Sequence, residues 1–234
     1  MNCIISAGPT YEPLDQVRRL TNYSTGRLGS ELATFLTAKG HEVNLLIGRQ
    51  ATWHGERQAA RVETFTTTAS LREKLQALAD VKVGAVFHAA AVSDFTFGKV
   101  WERSASGELT EVMTAKVPTR AGQLLVELVP TPKIIFELRS WFPQAWLAAW
   151  KYEMDGNRKA VLARALKQIE ESKTDLCVAN GAAYGGGFGL VDPKGDLEHC
   201  ETMGELFSAL ERRMQRQPRM DANGREWTRM EGGM

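Results

Sequence analysis

A chain of 234 residues, 43% hydrophobic and 24% charged, has the composition of an ordinary globular protein and is long enough for one large domain. Its 29 basic and 28 acidic residues leave a formal charge of +1, which does not point to a polyanionic partner, so neither nucleic acid nor a membrane is expected as a partner. Cys3, Cys177 and Cys200 are odd in number and lack CxxC or metal-ligand spacing. With no apolar run of about 18 residues and no signal-peptide pattern, they are expected to be buried thiols of a cytoplasmic protein.

The apolar run "NCIISAG" (2–8) predicts a buried strand. An insertion, "GPTYEPLDQVRR" (8–19), then delays the polar and glycine-bearing stretch "LTNYSTGRLG" (20–29), which opens a helix at about 27–39. Gly40 closes that helix before a second strand, "HEVNLLIG" (41–48). A third strand at 61–66, a helix at 69–80 and a fourth strand, "GAVFHAAA" (84–91), follow. Residues 92–130 break the rhythm: "ELTEV" (108–112) and "QLLVELV" (123–129) read as two strands around a basic turn, an excursion from the main sheet. Beyond it come a helix at 131–141, a strand at 145–153, a helix at 158–172, a strand at 175–181, a hairpin at 189–200 and an amphipathic helix at 203–216.

Alternation of this kind predicts an α/β fold, Rossmann-like, with a mostly parallel sheet and helices on both faces. Residues 1–216 are expected to form one domain with a flap or dimerisation arm at 92–130, and 217–234 a disordered tail. The unpaired edges of the arm would be satisfied by a second chain, so a homodimer is expected. Ligands of such sheets bind at the carboxyl ends of the strands, here Ser6–Gly8, Ala89–Asp94, Trp150–Glu153 and Ala179–Gly181.

Several nucleotide chemistries fit poorly. A dinucleotide-dependent reductase needs its glycines directly after the first strand and an acid ending the second, where "IGRQ" supplies Arg49. There is no P-loop and no nucleophile elbow. The loop Asn22, Ser24, Thr25, Gly26 and Gly29 precedes a helix N-terminus, which attracts anions; a plain N-cap and tight turn is the structural alternative.

The stretch "AGPTYEPLDQVRRLTNYSTGRLG" resembles the opening of phosphopantothenoylcysteine synthetases, with further matches at "AAAVSDF" (89–95), "LVPTPKII" (128–135), "WKYE" (150–153) and "DLCVANG" (175–181). The resemblance spans about residues 2–210 and covers the synthetase part alone. It implies a ligase that activates 4′-phosphopantothenate with CTP or ATP and Mg²⁺, forms an acyl-nucleotidylate, and transfers the acyl group to L-cysteine. It implies that Asn22 serves the transfer step, where a neutral amide can donate to a developing oxyanion without taking the amine's proton. Arg18, from the neighbouring subunit, would hold the substrate phosphate, a task that suits a planar guanidinium.

The same resemblance assigns Gly8, Ser24, Gly26, Gly29, Ala89, Ala90, Ala91 and Asp94 to the nucleotide and acyl subsites. Lys116 matches the first lysine of a flap motif that faces the triphosphate, although Pro118 and Thr119 replace its later lysines. Thr131, Pro132, Lys133 and Ile134 match a nucleotide loop, with Lys133 where an aspartate is usual. Trp150 takes the place of an aromatic that packs on the base, and Asn180 that of an asparagine ending the last parallel strand. Two helix lysines usual in the family fall on Gln168 and Ser172, while Lys167 and Lys173 lie one residue away. These departures leave open a nucleotide-binding regulator or inactive relative.

Overall fold

The computed structural model describes residues 1–79, 81–114, 116–117 and 123–216, with the backbone of 219–220 and 226–227. In chain order the elements are β1 (Asn2–Ala7), β2 (Tyr11–Pro13), β3 (Arg19–Thr21), α1 (Arg27–Ala38), β4 (Glu42–Gly48), β5 (Arg61–Phe65), α2 (Thr68–Gln76) and β6 (Ala85–His88). Then come β7 (Phe95–Arg103), β8 (Leu109–Glu111), β9 (Gln123–Pro130), α3 (Ile134–Trp141), β10 (Trp146–Tyr152), α4 (Arg158–Ser172) and β11 (Leu176–Asn180). A hairpin, β12 (Phe188–Val191) and β13 (Leu197–Cys200), leads to α5 (Met203–Gln215), followed by the short pair β14 (Arg219–Met220) and β15 (Glu226–Trp227).

The main sheet runs β13-β12-β11-β10-β6-β1-β4-β5. Its six parallel strands reverse direction of growth at β1 and β6, the switch point where open α/β sheets take their ligands. Leu32 and Leu36 of α1 pack with Leu206 and Leu210 of α5 on one face. Leu71 and Leu75 of α2, Leu138 of α3 and Val161 and Ala165 of α4 cover the other. Because both faces are covered, the central strands read as continuous apolar runs rather than alternating ones. Cys3, Cys177 and Cys200 are unpaired and buried in this core, and burial pushes the thiols of Cys3 and Cys177 up to about 12.

Two segments differ from the expectation. The excursion is a separate three-stranded antiparallel sheet, β8-β7-β9, so the two expected strands flank β7 and do not pair with each other. A shift of register between Phe97 and Val100 breaks the alternation of β7 and hides it in the sequence. The insertion after β1 also has structure, a hairpin of β2 and β3. The expected tail lies mostly outside the described residues; within it β14 and β15 pair antiparallel. Among the described residues no helix is long and apolar enough to cross a membrane.

Candidate functional site

At the carboxyl ends of β1, β6, β10 and β11 lies a cleft of two joined lobes, about 730 Å³ and about 460 Å³. Ala90, Val92, Trp150, Lys151 and Gln168 line both. The first lobe is walled by the glycine loop and the start of α1, from Asn22 to Gly29, with Gly8, Ala89, Ala91 and Asn180. Gly26 takes φ 75°, and Gly29 lies so close to β1 that a Cβ there would stand 2.5 Å from the Cβ of Ala7. The glycines therefore bring the helix end onto the strand, as well as making a turn.

Capping separates the helices that face the cleft from those that do not. Thr67, Asn157 and Thr202 cap α2, α4 and α5 with their side chains. α1 and α3 have no side-chain cap, and both N-termini open onto the cleft, α1 in the first lobe and α3 in the second. Arg27 N donates to Thr25 Oγ1 at 3.2 Å, and the other first-turn N–H groups of α1 and α3, with the positive ends of two helix dipoles, converge on one cavity, an arrangement suited to an extended anion. Trp150 Nε1 and Asn180 Oδ1, both in this wall, are buried without a partner among the described residues. Such orphaned atoms are uncommon in native proteins and are satisfied by a ligand at many sites.

Asn22 reaches across the cleft mouth, where its Nδ2 donates to the carbonyls of Ala91 and Val92, each at 3.2 Å. That uses both amide hydrogens, so the donor role expected from the sequence is not the one left open. The free atom is Oδ1, an acceptor. Thr10 braces the same strand end: its N–H donates to Ala91 O and its Oγ1 accepts from Ser93 N. Glu12 accepts from Thr68 N at the start of α2. Much of the conspicuous motif in the insertion is therefore a bracket for the cleft.

In the second lobe Lys133 forms an ion pair with Asp94, joining the two loops that carry them. The rim carries Lys151 and Arg164, each paired with Glu153 (3.3 and 2.7 Å), and Lys167, paired with Glu171 at 3.7 Å. Gln168 lines both lobes with its Nε2 donating to Trp150 O, whereas Ser172 is buried away from them. Lys167 lines the lobe although it lies one residue from the expected position; Lys173, at φ 58°, caps α4 on its far side. His88 forms part of this wall, with Nδ1 2.7 Å from Ser6 Oγ, and burial holds its pKa down to about 4.

Of the residues expected from the sequence, Gly8, Asn22, Ser24, Gly26, Gly29, Ala89, Ala90, Ala91, Trp150 and Asn180 meet in the first lobe. Asp94, Lys133 and Ile134 meet in the second. Thr131 is buried, with Oγ1 donating to Ser93 O, and neither it nor Pro132 lines a lobe. Arg18 and Lys116 do not line the cleft either. Arg18 pairs with Asp15 at 3.0 Å and donates to the carbonyl of Val117, beside the exposed Lys116. Pro118, Thr119 and Arg120 lie outside the described residues. Lys151, Arg164 and His88 were missed because strand register and helix phase, rather than a local pattern, turn them inward.

The family model of the DNA/pantothenate metabolism flavoprotein C-terminal domain matches residues 1–200. The coenzyme A biosynthesis bifunctional protein CoaBC of Thermococcus kodakarensis is 32% identical over 182 residues, covering 76% of this chain and 40% of that protein. The chain thus spans less than half the length of that relative. Mouse phosphopantothenate–cysteine ligase is 26% identical over 76% of this chain and 71% of its own length. The crystal structure of the DNA/pantothenate metabolism flavoprotein from Streptococcus pneumoniae superposes with a TM-score of 0.80 at 25% identity, covering 92% of this chain and 98% of that one.

Proposed function

Because this chain belongs to the DNA/pantothenate metabolism flavoprotein C-terminal domain family, we propose that it is a ligase joining 4′-phosphopantothenate to L-cysteine at the expense of CTP or ATP. The observation that carries this reading is the pair of uncapped helix N-termini facing one two-lobed cleft. Such a cavity suits a nucleoside triphosphate, with the base against Trp150 and the phosphates toward the helix ends and the rim lysines.

The substrate carboxylate attacks the α-phosphorus, and pyrophosphate departs. Lys116 stabilises charge on the departing pyrophosphate when the flap of a second subunit closes over the cleft, and Arg18 of that subunit holds the substrate phosphate. The cysteine amine then attacks the acyl carbon, and the nucleoside monophosphate leaves with the carboxylate oxygen. Asn22 Oδ1 accepts from the attacking amine and orients it, while its Nδ2 stays on Ala91 and Val92. Magnesium accompanies the triphosphate as part of the substrate. Among the described residues no cage is formed for it, and the carboxylates of Asp94 and Glu171 are engaged by Lys133 and Lys167.

Pyrophosphate release is the test, measured with phosphopantothenate and each common triphosphate, with and without cysteine. The expected result is release that depends on phosphopantothenate, with ligated product only when cysteine is present. No turnover with any triphosphate would remove the ligase reading. The replacement of family lysines by Gln168 and Ser172 favours a second reading, a nucleotide-binding regulator, which would bind a triphosphate in the same assay without consuming it.

A further inference from the structure

Tyr152 closes β10 at the rim of the first lobe, 64% exposed. Among the described residues its hydroxyl has no hydrogen bond and its ring no aromatic or cationic partner. The sheet fixes its direction. β10 pairs with β11 in the register Ala148↔Leu176, Trp150↔Val178 and Tyr152↔Asn180. Ala148, Leu176 and Val178 belong to the core under α1 and α5, and Trp150 packs against it. Side chains alternate along a strand and partners across a ladder share a face, so Trp150, Tyr152 and Asn180 all stand on the α1 side. Lys151, one residue out of step, turns to the opposite face, where Arg164 and Lys167 of α4 and Lys133 before α3 line the second lobe.

The other wall of the first lobe is the glycine loop, which runs into α1 on the same face, with Leu28 packed against the same core. β6 lies between β1 and β10 and leads into Ala89, Ala90 and Ala91, so small side chains form the floor between the walls. Two strand spacings put the walls about 9.5 Å apart, room for one flat ring system against Trp150. Along β10 the positions of Trp150 and Tyr152 are about 6.6 Å apart, two residue rises, and together they make a ledge of two aromatic side chains. The orphaned Trp150 Nε1 and Asn180 Oδ1 belong to this same face, so unfilled hydrogen-bonding capacity and exposed ring surface coincide there.

We propose that Tyr152 is a specificity-determining residue for the nucleoside triphosphate: its ring covers the outer half of a purine base whose inner half lies against Trp150. A pyrimidine held on Trp150 stops short of Tyr152, so the second ring favours ATP over CTP. Stacking on an aromatic face suits any base, and what separates the two nucleotides is the length of base that the ledge covers. The cations of the second lobe lie on the other face, so Tyr152 acts on the base and leaves the phosphates to them. This inference rests on the nucleotide reading above and decides between the two nucleotides that reading admits.

The test compares wild type, Tyr152→Ala and Tyr152→Phe by calorimetry with ATP, CTP and inorganic tripolyphosphate. Wild type should bind ATP about tenfold more tightly than CTP. Tyr152→Ala should lose that margin, weakening ATP about tenfold while CTP and tripolyphosphate change less than about twofold. Tyr152→Phe keeps the ring and should stay within about twofold of wild type for all three. The side chain is exposed, so both variants should fold, which an unchanged melting temperature checks. Wild type that binds CTP as tightly as ATP, or unchanged ATP affinity in Tyr152→Ala, overturns the proposal. So does equal loss of ATP and CTP, or a loss in Tyr152→Phe that matches Tyr152→Ala and assigns the effect to the hydroxyl. Loss of tripolyphosphate along with ATP makes Tyr152 a structural residue and also overturns it. Wild type that binds none of the three would instead defeat the nucleotide reading, and this inference with it, and is recognised by the absence of any wild-type heat.

Discussion

The cleft and the flap place their functional residues on very different supports. His88 ends, and Ala89 follows, a strand, β6, in which Ala85, Val86 and Phe87 are wholly buried between β1 and β10. In β9 of the flap, Leu125, Leu128 and Val129 are 39%, 50% and 39% exposed, and β8 and β9 are both outer edges. A rigid sheet holds the cleft within one chain, whereas the flap presents apolar surface and unpaired backbone groups. The residues that the family resemblance assigns to the acyl phosphate and the leaving group, Arg18 and Lys116, lie with the flap and away from the cleft. A site divided in this way argues for completion by a second copy.

The largest contrast is in stability. Phe87→Ala should cost about 3–5 kcal/mol, while Leu125→Ala should cost less than about 0.5 kcal/mol within a single chain. Urea unfolding at low protein concentration measures both, and equal costs would break the distinction between a rigid cleft and a loosely supported flap. Next comes chemistry. Asn22→Asp should lower ligation by about 10²–10³-fold while phosphopantothenate-dependent pyrophosphate release remains measurable, and Lys116→Gln should lower pyrophosphate release itself. Rapid-quench separation of the two steps checks this, and parallel loss in both variants would merge the two regions into one role.

A smaller effect tests the division between chains. Randomly mixed dimers of Arg18→Ala and Asn22→Asp chains should regain about a quarter of wild-type activity, because half are mixed and each has one intact site. No recovery, or a monomer by sedimentation at micromolar concentration, would place the whole site in one chain. The smallest concerns Asp15. Burial pushes its carboxyl up, but the N–H groups of Val17, Val117 and Arg18 and the Arg18 guanidinium outweigh that and hold its pKa below the usual carboxylate range. Its contribution is therefore present above the unfolded value and is lost as pH falls through the lowered folded one. Hydrogen exchange at Val117 should stay slow at pH 5 and rise only below about pH 4. In Asp15→Asn that acid-dependent rise should disappear.

Most of the main sheet was legible because its strands are apolar on both faces and its helices keep their period. β7 was not, since Gly98 and Lys99 fall where the register shifts and the alternation fails there. β2 and β3 have three residues each and include Pro13, too little for a periodic signal. In the site, the glycine loop was readable from residue type and spacing alone. The inward aim of Lys151 and Arg164 was not, because it depends on neighbours fixed only by the fold. Asn22 was found but its orientation was not: the carbonyls of Ala91 and Val92 that turn its amide lie 69 and 70 residues away.

Asp15 also has a mechanical consequence. It accepts from Val117 N in the flap and from Val17 and Arg18 in the hairpin, and Arg18 returns a bond to Val117 O. The flap cannot swing about this point without dragging β3, and β3 runs directly into Asn22 and the glycine loop. Movement of this part of the flap is thus geared to the hairpin and the glycine loop of its own chain, so a change at one is felt at the other.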